Sequence, residues 1–126
     1  MSGVIVRATD APQRALRHGR GVANELVNPS IGASAVDVHL NRLRPAAAPG
    51  PYHLHTASEN VYYVLAGRLA VRIDGVDHEL GPGDAAFIPP GTPHSATNVG
   101  DEEAVLIEIY APPGADFVEV ADTGSS

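Results

Sequence analysis

The sequence predicts an all-β single domain that closes as a sandwich or barrel, and three observations carry that prediction. Short apolar runs recur with turn signals between them, roughly every 6–10 residues. Thirteen glycines and eleven prolines fall between those runs rather than in a block. The pair Asp74-Gly75 sits between Ile73 and Val76, the strongest short signal for a two-residue hairpin. At 126 residues and 44% hydrophobic content the chain is one domain, long enough to bury a core.

Taken in order, Val4-Ile5-Val6 reads as an edge strand. Asp10 reads as the cap of a short helix, with Pro12 in its first turn and Gly19 just past its end. Residues 35–43 alternate, with Val36, Val38 and Leu40 on one face and Asp37, His39 and Asn41 on the other, which predicts a half-buried strand. Pro45 to Pro51 is a connection. Strands are expected from Tyr52 to His55, Val61 to Leu65, Leu69 to Ile73, Val76 to Leu80, Ala85 to Ile88, His94 to Asn98 and Ala104 to Tyr110. Residues 1–34 form an N-terminal segment packed on the barrel or on a partner subunit, 35–120 the barrel, and 121–126 a frayed tail. Val61 to Leu65 and Val105 to Ile109 are apolar on nearly every position, so both faces are expected to be covered, one by the barrel interior and the other by an N-terminal strand or a second subunit, and a homodimer is the expected assembly.

Composition removes several function classes. The formal net charge is −7, which argues against nucleic acid or an anionic membrane as partner. All eight basic residues are arginine, so Schiff-base chemistry on a lysine is excluded. With no cysteine, thiolate nucleophiles and sulfur-ligated metals are excluded, and any metal must sit on nitrogen and oxygen. No apolar run is long enough for a membrane span and the N-terminus has no signal-peptide pattern, so a cytoplasmic protein is expected.

The candidate chemistry lies in His53-Leu54-His55 and His94. Histidines at i and i+2 on a strand share a face, and a third arriving from another strand completes a facial set of three nitrogens. Such a set leaves positions open on a divalent metal, where a small molecule can bind and react. The Pro89-Pro90-Gly91-Thr92-Pro93 loop is stiff and presents His94 at little entropic cost.

Gly83, Pro89, Gly91, His94 and Asn98 stand in the pattern Gly, five residues, Pro, one residue, Gly, two residues, His, three residues, Asn. With His53, His55 and Gly67, and fifteen residues between Gly67 and Gly83, residues 35–110 resemble the cupin family of jelly-roll β-barrels. The resemblance implies a jelly-roll barrel with a divalent transition metal (Fe, Mn, Ni, Zn or Cu) held by His53, His55, His94 and a fourth, glutamate ligand. Here the chain departs from the family pattern. Counting back from Gly67 puts the glutamate position on Asn60, whereas the permitted gap after His55 also puts it on Glu59. If Asn60 points inward, alternation turns Glu59 away. A bulge between Thr56 and Glu59 would swing Glu59 in, and its carboxylate offsets cation charge, so Glu59 is the expected ligand or base.

Tyr62 shares parity with Asn60 and is the candidate proton donor. His39 is expected to face solvent or be satisfied in the core, and Glu108 either to face solvent or to be a buried carboxylate of raised pKa near the metal. Arg42 and Arg44 are read as solvated, His18 and His78 as exposed, and Asp84 as a turn residue. The expected ligand is a small oxygen-rich molecule such as a hydroxy-acid, diketone or catechol. Expected functions are a dioxygenase-like enzyme, a Lewis-acid isomerase or decarboxylase, or a non-catalytic barrel that binds or senses a small molecule.

Overall fold

The computed structural model describes residues 2–45 and 49–122. Among the described residues there are eleven strands: β1 Gln13–Ala15, β2 Gly21–Val27, β3 Asp37–Leu43, β4 His53–Leu54, β5 Glu59–Ala66, β6 Leu69–Ile73, β7 Val76–Leu80, β8 Ala85–Ile88, β9 His94–Asn98, β10 Ala104–Ala111 and β11 Val118–Glu119. They form two antiparallel sheets, one in the order β1-β2-β3-β10-β5-β8 and the other β11-β4-β9-β6-β7. This is an all-β jelly roll. Among the described residues the helical elements are short 3-10 turns, and no helix is long and apolar enough to cross a membrane.

The strands from β3 to β10 follow the sequence reading closely. Asp74 and Gly75 both take positive φ, 51° and 83°, as a two-residue hairpin on a right-handed twist requires. Gly67 has φ 84°, and a Cβ there would lie 2.8 Å from the Ala104 Cα, so both conformation and space demand glycine. The Asp84 carboxylate accepts from the Gly81 amide at 2.9 Å, the turn role expected of it.

The N-terminal segment differs. Val4 to Val6 lies outside any strand, with Val4 58% and Ile5 80% exposed, because no neighbouring strand supplies ladder hydrogen bonds. The expected helix from Asp10 is replaced by a 3-10 turn at Ala8–Asp10, strand β1 and a second turn at Arg17–Gly19. Pairing of Gln13, Arg14 and Ala15 with Asn24, Ala23 and Val22 overrides the local capping signal. Strand β2 carries no clean alternation and was not expected. Residues 123–126 of the expected tail lie outside the described residues.

The core sits between the sheets. Val64, Leu69, Val71, Ile88 and Leu106 are all 2% exposed or less and belong to one cluster. The inner face of the larger sheet becomes polar beside this cluster, and the register explains its layout. His39, Glu108 and Tyr62 lie abreast on β3, β10 and β5, and Asp37, Tyr110 and Asn60 form the next row. The polar face of β3, which alternation alone suggests is wet, is the face turned into the barrel.

Candidate metal centre and its cavity

His53 and His94 are direct cross-strand partners on β4 and β9, and His55 follows two residues after His53. All three are buried, and a ring nitrogen from each lies within 4.8 Å of the others. Each ring is held at Nδ1 by a backbone carbonyl: His53 by Pro51 at 2.7 Å, His55 by Asp116 at 2.5 Å and His94 by Thr92 at 2.9 Å. A carbonyl only accepts, so each Nδ1 carries the proton and each Nε2 keeps its lone pair. Burial is the main cause that lowers the pKa of His53, to about 4, and of His94, so both rings are neutral at pH 7.

The site fits a cation on two further observations. The His55 Nε2 is buried with no hydrogen-bond partner among the described residues. The His94 Nε2 faces the Asn60 Oδ1 at 3.1 Å. The Asn60 Nδ2 must point at Glu108 Oε2 and the Ile109 carbonyl, each 3.1 Å away, because both are acceptors. Two lone pairs therefore confront one another, an arrangement that a shared cation relieves.

Asn60 is 0% exposed, whereas Glu59 is exposed on the opposite face. This corrects the expected placement of Glu59. Tyr62 and Val64 point inward with Asn60, and the alternation of β5 runs unbroken to its first residue. No bulge intervenes near Thr56, and the register irregularity of the β5–β10 pair falls at Val105/Leu106, the far end of the strand.

Glu108 is the buried carboxylate, not a solvated one, and its pKa moves opposite to the expected direction. Burial alone would raise it, but hydrogen bonds from His39 (3.0 Å), Asn41 (2.8 Å) and Asn60 (3.1 Å) bring it down to about 2. His39, 1% exposed, spans Glu108 at Nε2 and Asp37 at Nδ1 (3.2 Å). Burial would lower its pKa, but the two carboxylates outweigh that and raise it. His39 also gathers with Asp37 and Glu25 closely enough for a second ion, yet an imidazolium bonded at both nitrogens accounts for that group. Burial and Glu108 hold the phenols of Tyr62 and Tyr110 far above their ordinary range, so both stay protonated.

His53, His55, His39, Tyr62, Glu108 and Tyr110 line a cavity of about 340 Å³ between the sheets, with His94 and Asn60 buried behind its wall. Its lining also includes Arg14, Arg17 and Arg20, and the segment from Gly114 to Phe117. The Phe117 ring stacks on His53 at 4.2 Å, and the Asp116 carboxylate accepts from the Thr56 amide (2.7 Å) and hydroxyl (2.6 Å). Sequence reasoning missed these supports. The one available signal was Phe117, a lone aromatic in a polar C-terminal stretch. Arg42 pairs with Glu103 at the surface, and His18 and His78 are exposed, as expected.

The buried histidine set on a double-stranded jelly roll defines a cupin, and comparison with known proteins agrees. The family model described as "Cupin domain" matches residues 39–110, and the chain belongs to that family. The chain is 34% identical to protein SchB of Streptomyces halstedii over 123 residues, covering 94% of this chain and 88% of that protein. It is 30% identical to the pectin degradation protein KdgF of Dickeya dadantii (strain 3937), covering 79% and 86% of the two chains. Among solved structures, the polyketide cyclase RemF from Streptomyces resistomycificus superposes with a TM-score of 0.80 at 25% identity, covering 96% of this chain and 86% of that one.

Proposed function

We propose that this cupin is a metal-dependent enzyme that acts on a small, carbonyl-rich organic molecule by polarisation and proton transfer, leading to cyclisation, isomerisation or elimination. The convergence of three Nε2 lone pairs, each fixed by a backbone carbonyl behind it, carries the reading. A divalent transition metal held there supplies Lewis-acid polarisation of a carbonyl oxygen. His53, His55 and His94 would hold it, and the Asn60 carboxamide oxygen, 3.1 Å from the His94 Nε2, would be a further neutral donor beside them. Tyr62, protonated and on the cavity wall, is the proton donor. Glu108 keeps a negative charge in the wall and orients Asn60. Likeness to a polyketide cyclase, whose named substrate class is rich in carbonyls, favours non-oxidative chemistry.

A dioxygenase-like reaction is the second reading, favoured by the nitrogen ligand set, which suits iron as well as zinc. Two measurements separate them. Protein loaded with zinc should exchange the α-protons of acetylacetone for deuterium faster than His94→Ala protein does, as read by NMR. Protein loaded with Fe(II) should consume no oxygen with the same compound. Oxygen uptake without exchange would support the dioxygenase, and tight binding with neither would leave a binding barrel.

The proposal includes a homodimer. Tyr63 and Leu65 on β5 and Phe87 on the edge strand β8 are 42%, 45% and 56% exposed. They lie on the outer face of the larger sheet, where a second copy would cover them.

A further inference from the structure

Three arginines line the cavity, and two are already committed. Arg14 pairs with Glu25. The Arg17 guanidinium lies 4.1 Å from the centre of the Phe117 ring. Arg20 is different. It is half-buried, and its Nη2 donates to the Ala96 carbonyl at 2.6 Å, while no carboxylate among the described residues lies within ion-pair distance. A guanidinium has five donors and cannot shed its charge. The carboxylates on the same wall have their own partners: Glu25 has Arg14, Asp37 has His39, Glu108 has His39, Asn41 and Asn60, and Asp116 has Thr56. Burial is the largest influence on Arg20 and works against its charge; the negative charge of Glu108 offsets it only from a distance, so the cation is held in the wall with no carboxylate in direct contact among the described residues.

Its position relates it to the histidines. Ala96 shares the inward parity of His94 and lies two residues along β9, about 7 Å away. Gly50, which brings Pro51 and its carbonyl up to His53, passes so close that a Cβ would lie 2.8 Å from the Arg20 Nη2.

We propose that Arg20 is the specificity-determining residue of the cavity and takes a carboxylate at the end of the substrate remote from the metal. The substrate class is then a carbonyl compound bearing a distal carboxylate, a few carbons from the oxygen that meets the metal. The inference rests on the metal reading above.

The test compares hydroxamates, which chelate the metal at one end, by calorimetry on zinc-loaded protein. Succinohydroxamate and glutarohydroxamate carry a distal carboxylate, and butyrohydroxamate does not. The wild type should bind at least one of the carboxylated pair about tenfold or more tighter than butyrohydroxamate, the size of a single charge-assisted contact. Arg20→Gln should lose that preference and still bind butyrohydroxamate as the wild type does, which shows its site intact. Arg20→Lys should keep part of the preference. A preference undiminished in Arg20→Gln, or absent from the wild type at both chain lengths, overturns the role of Arg20 while leaving the metal reading standing. Equal binding of butyrohydroxamate to the wild type and His94→Ala protein overturns the metal reading and this inference with it.

Discussion

Replacing Glu108 by glutamine isolates the charge of the buried carboxylate while keeping its shape. In the folded chain the carboxyl pKa drops from 4.5 to about 2 because three hydrogen bonds outweigh its burial. At about 1.4 kcal/mol per pH unit this contributes about 3 kcal/mol to stability. The folded pKa lies below the unfolded one, so the contribution is complete above about pH 4.5 and is lost as the pH falls toward 2. His39 behaves oppositely. Its raised pKa stabilises the fold below its unfolded value of 6.5, and that share is lost as the pH rises through the folded value. Comparison at pH 6 and pH 3 therefore keeps His39 charged in the wild type, and the titration of His53 and of the other carboxylates in that range is common to wild type and variant. The glutamine amide also turns an NH2 group toward one of the donors that Glu108 now accepts from. Urea unfolding of the metal-free protein should show Glu108→Gln less stable by about 3 kcal/mol at pH 6, with the gap falling to less than half at pH 3. A gap that is absent at pH 6, or unchanged at pH 3, would refute the view that Glu108 is held ionised by its neighbours.

Four further outcomes follow from the same geometry. His55→Ala should reduce bound metal from near one per chain to below about a tenth, measured by mass spectrometry, and abolish the rise in Tm on adding zinc. Asn60→Asp should lower the metal-free Tm, since it sets a second carboxylate against Glu108, and should enlarge the zinc-induced rise, since a charged oxygen then faces the metal. Gly50→Ala should reproduce the loss of carboxylate preference expected of Arg20→Gln, because the new Cβ would meet the Ala96 carbonyl at 2.5 Å and the Arg20 guanidinium at 2.8 Å. Phe87→Asp should convert a dimer to monomer in light scattering and leave metal content unchanged.

What was legible in the sequence and what was not divides along a physical line. Strands bounded by glycine and proline turns could be read because their signals are local: Asp74-Gly75 needs no distant partner to form its turn. The histidine set could be read because parity on a strand and a rigid loop are local as well. Strand β1 could not, since its three residues are held by register with β2 against their own helical cue, and the three cavity arginines ride on that segment. The Glu59–Asn60 choice was decidable from parity, because Tyr62 and Val64 already fixed which positions of β5 face inward; the preference for a charged ligand over alternation pointed to the wrong side of the strand.

The polar face of β3 is the more instructive case. Alternation states that a strand has two unlike faces, and the hydrophobic effect assigns the apolar one to the interior. Here Asp37, His39 and Asn41 face the cavity, and their side chains bond to one another and to Glu108 across β3 and β10, while the Asn41 Oδ1 has no partner among the described residues. The desolvation cost of burying Glu108 and His39 is offset only because register sets them abreast, so the same pairing that builds the sheet also builds the network. A shift of one residue between β3 and β10 would leave two buried charges apart. The register of the large sheet therefore underlies both the stability of the cavity wall and the orientation of Asn60 toward the histidines.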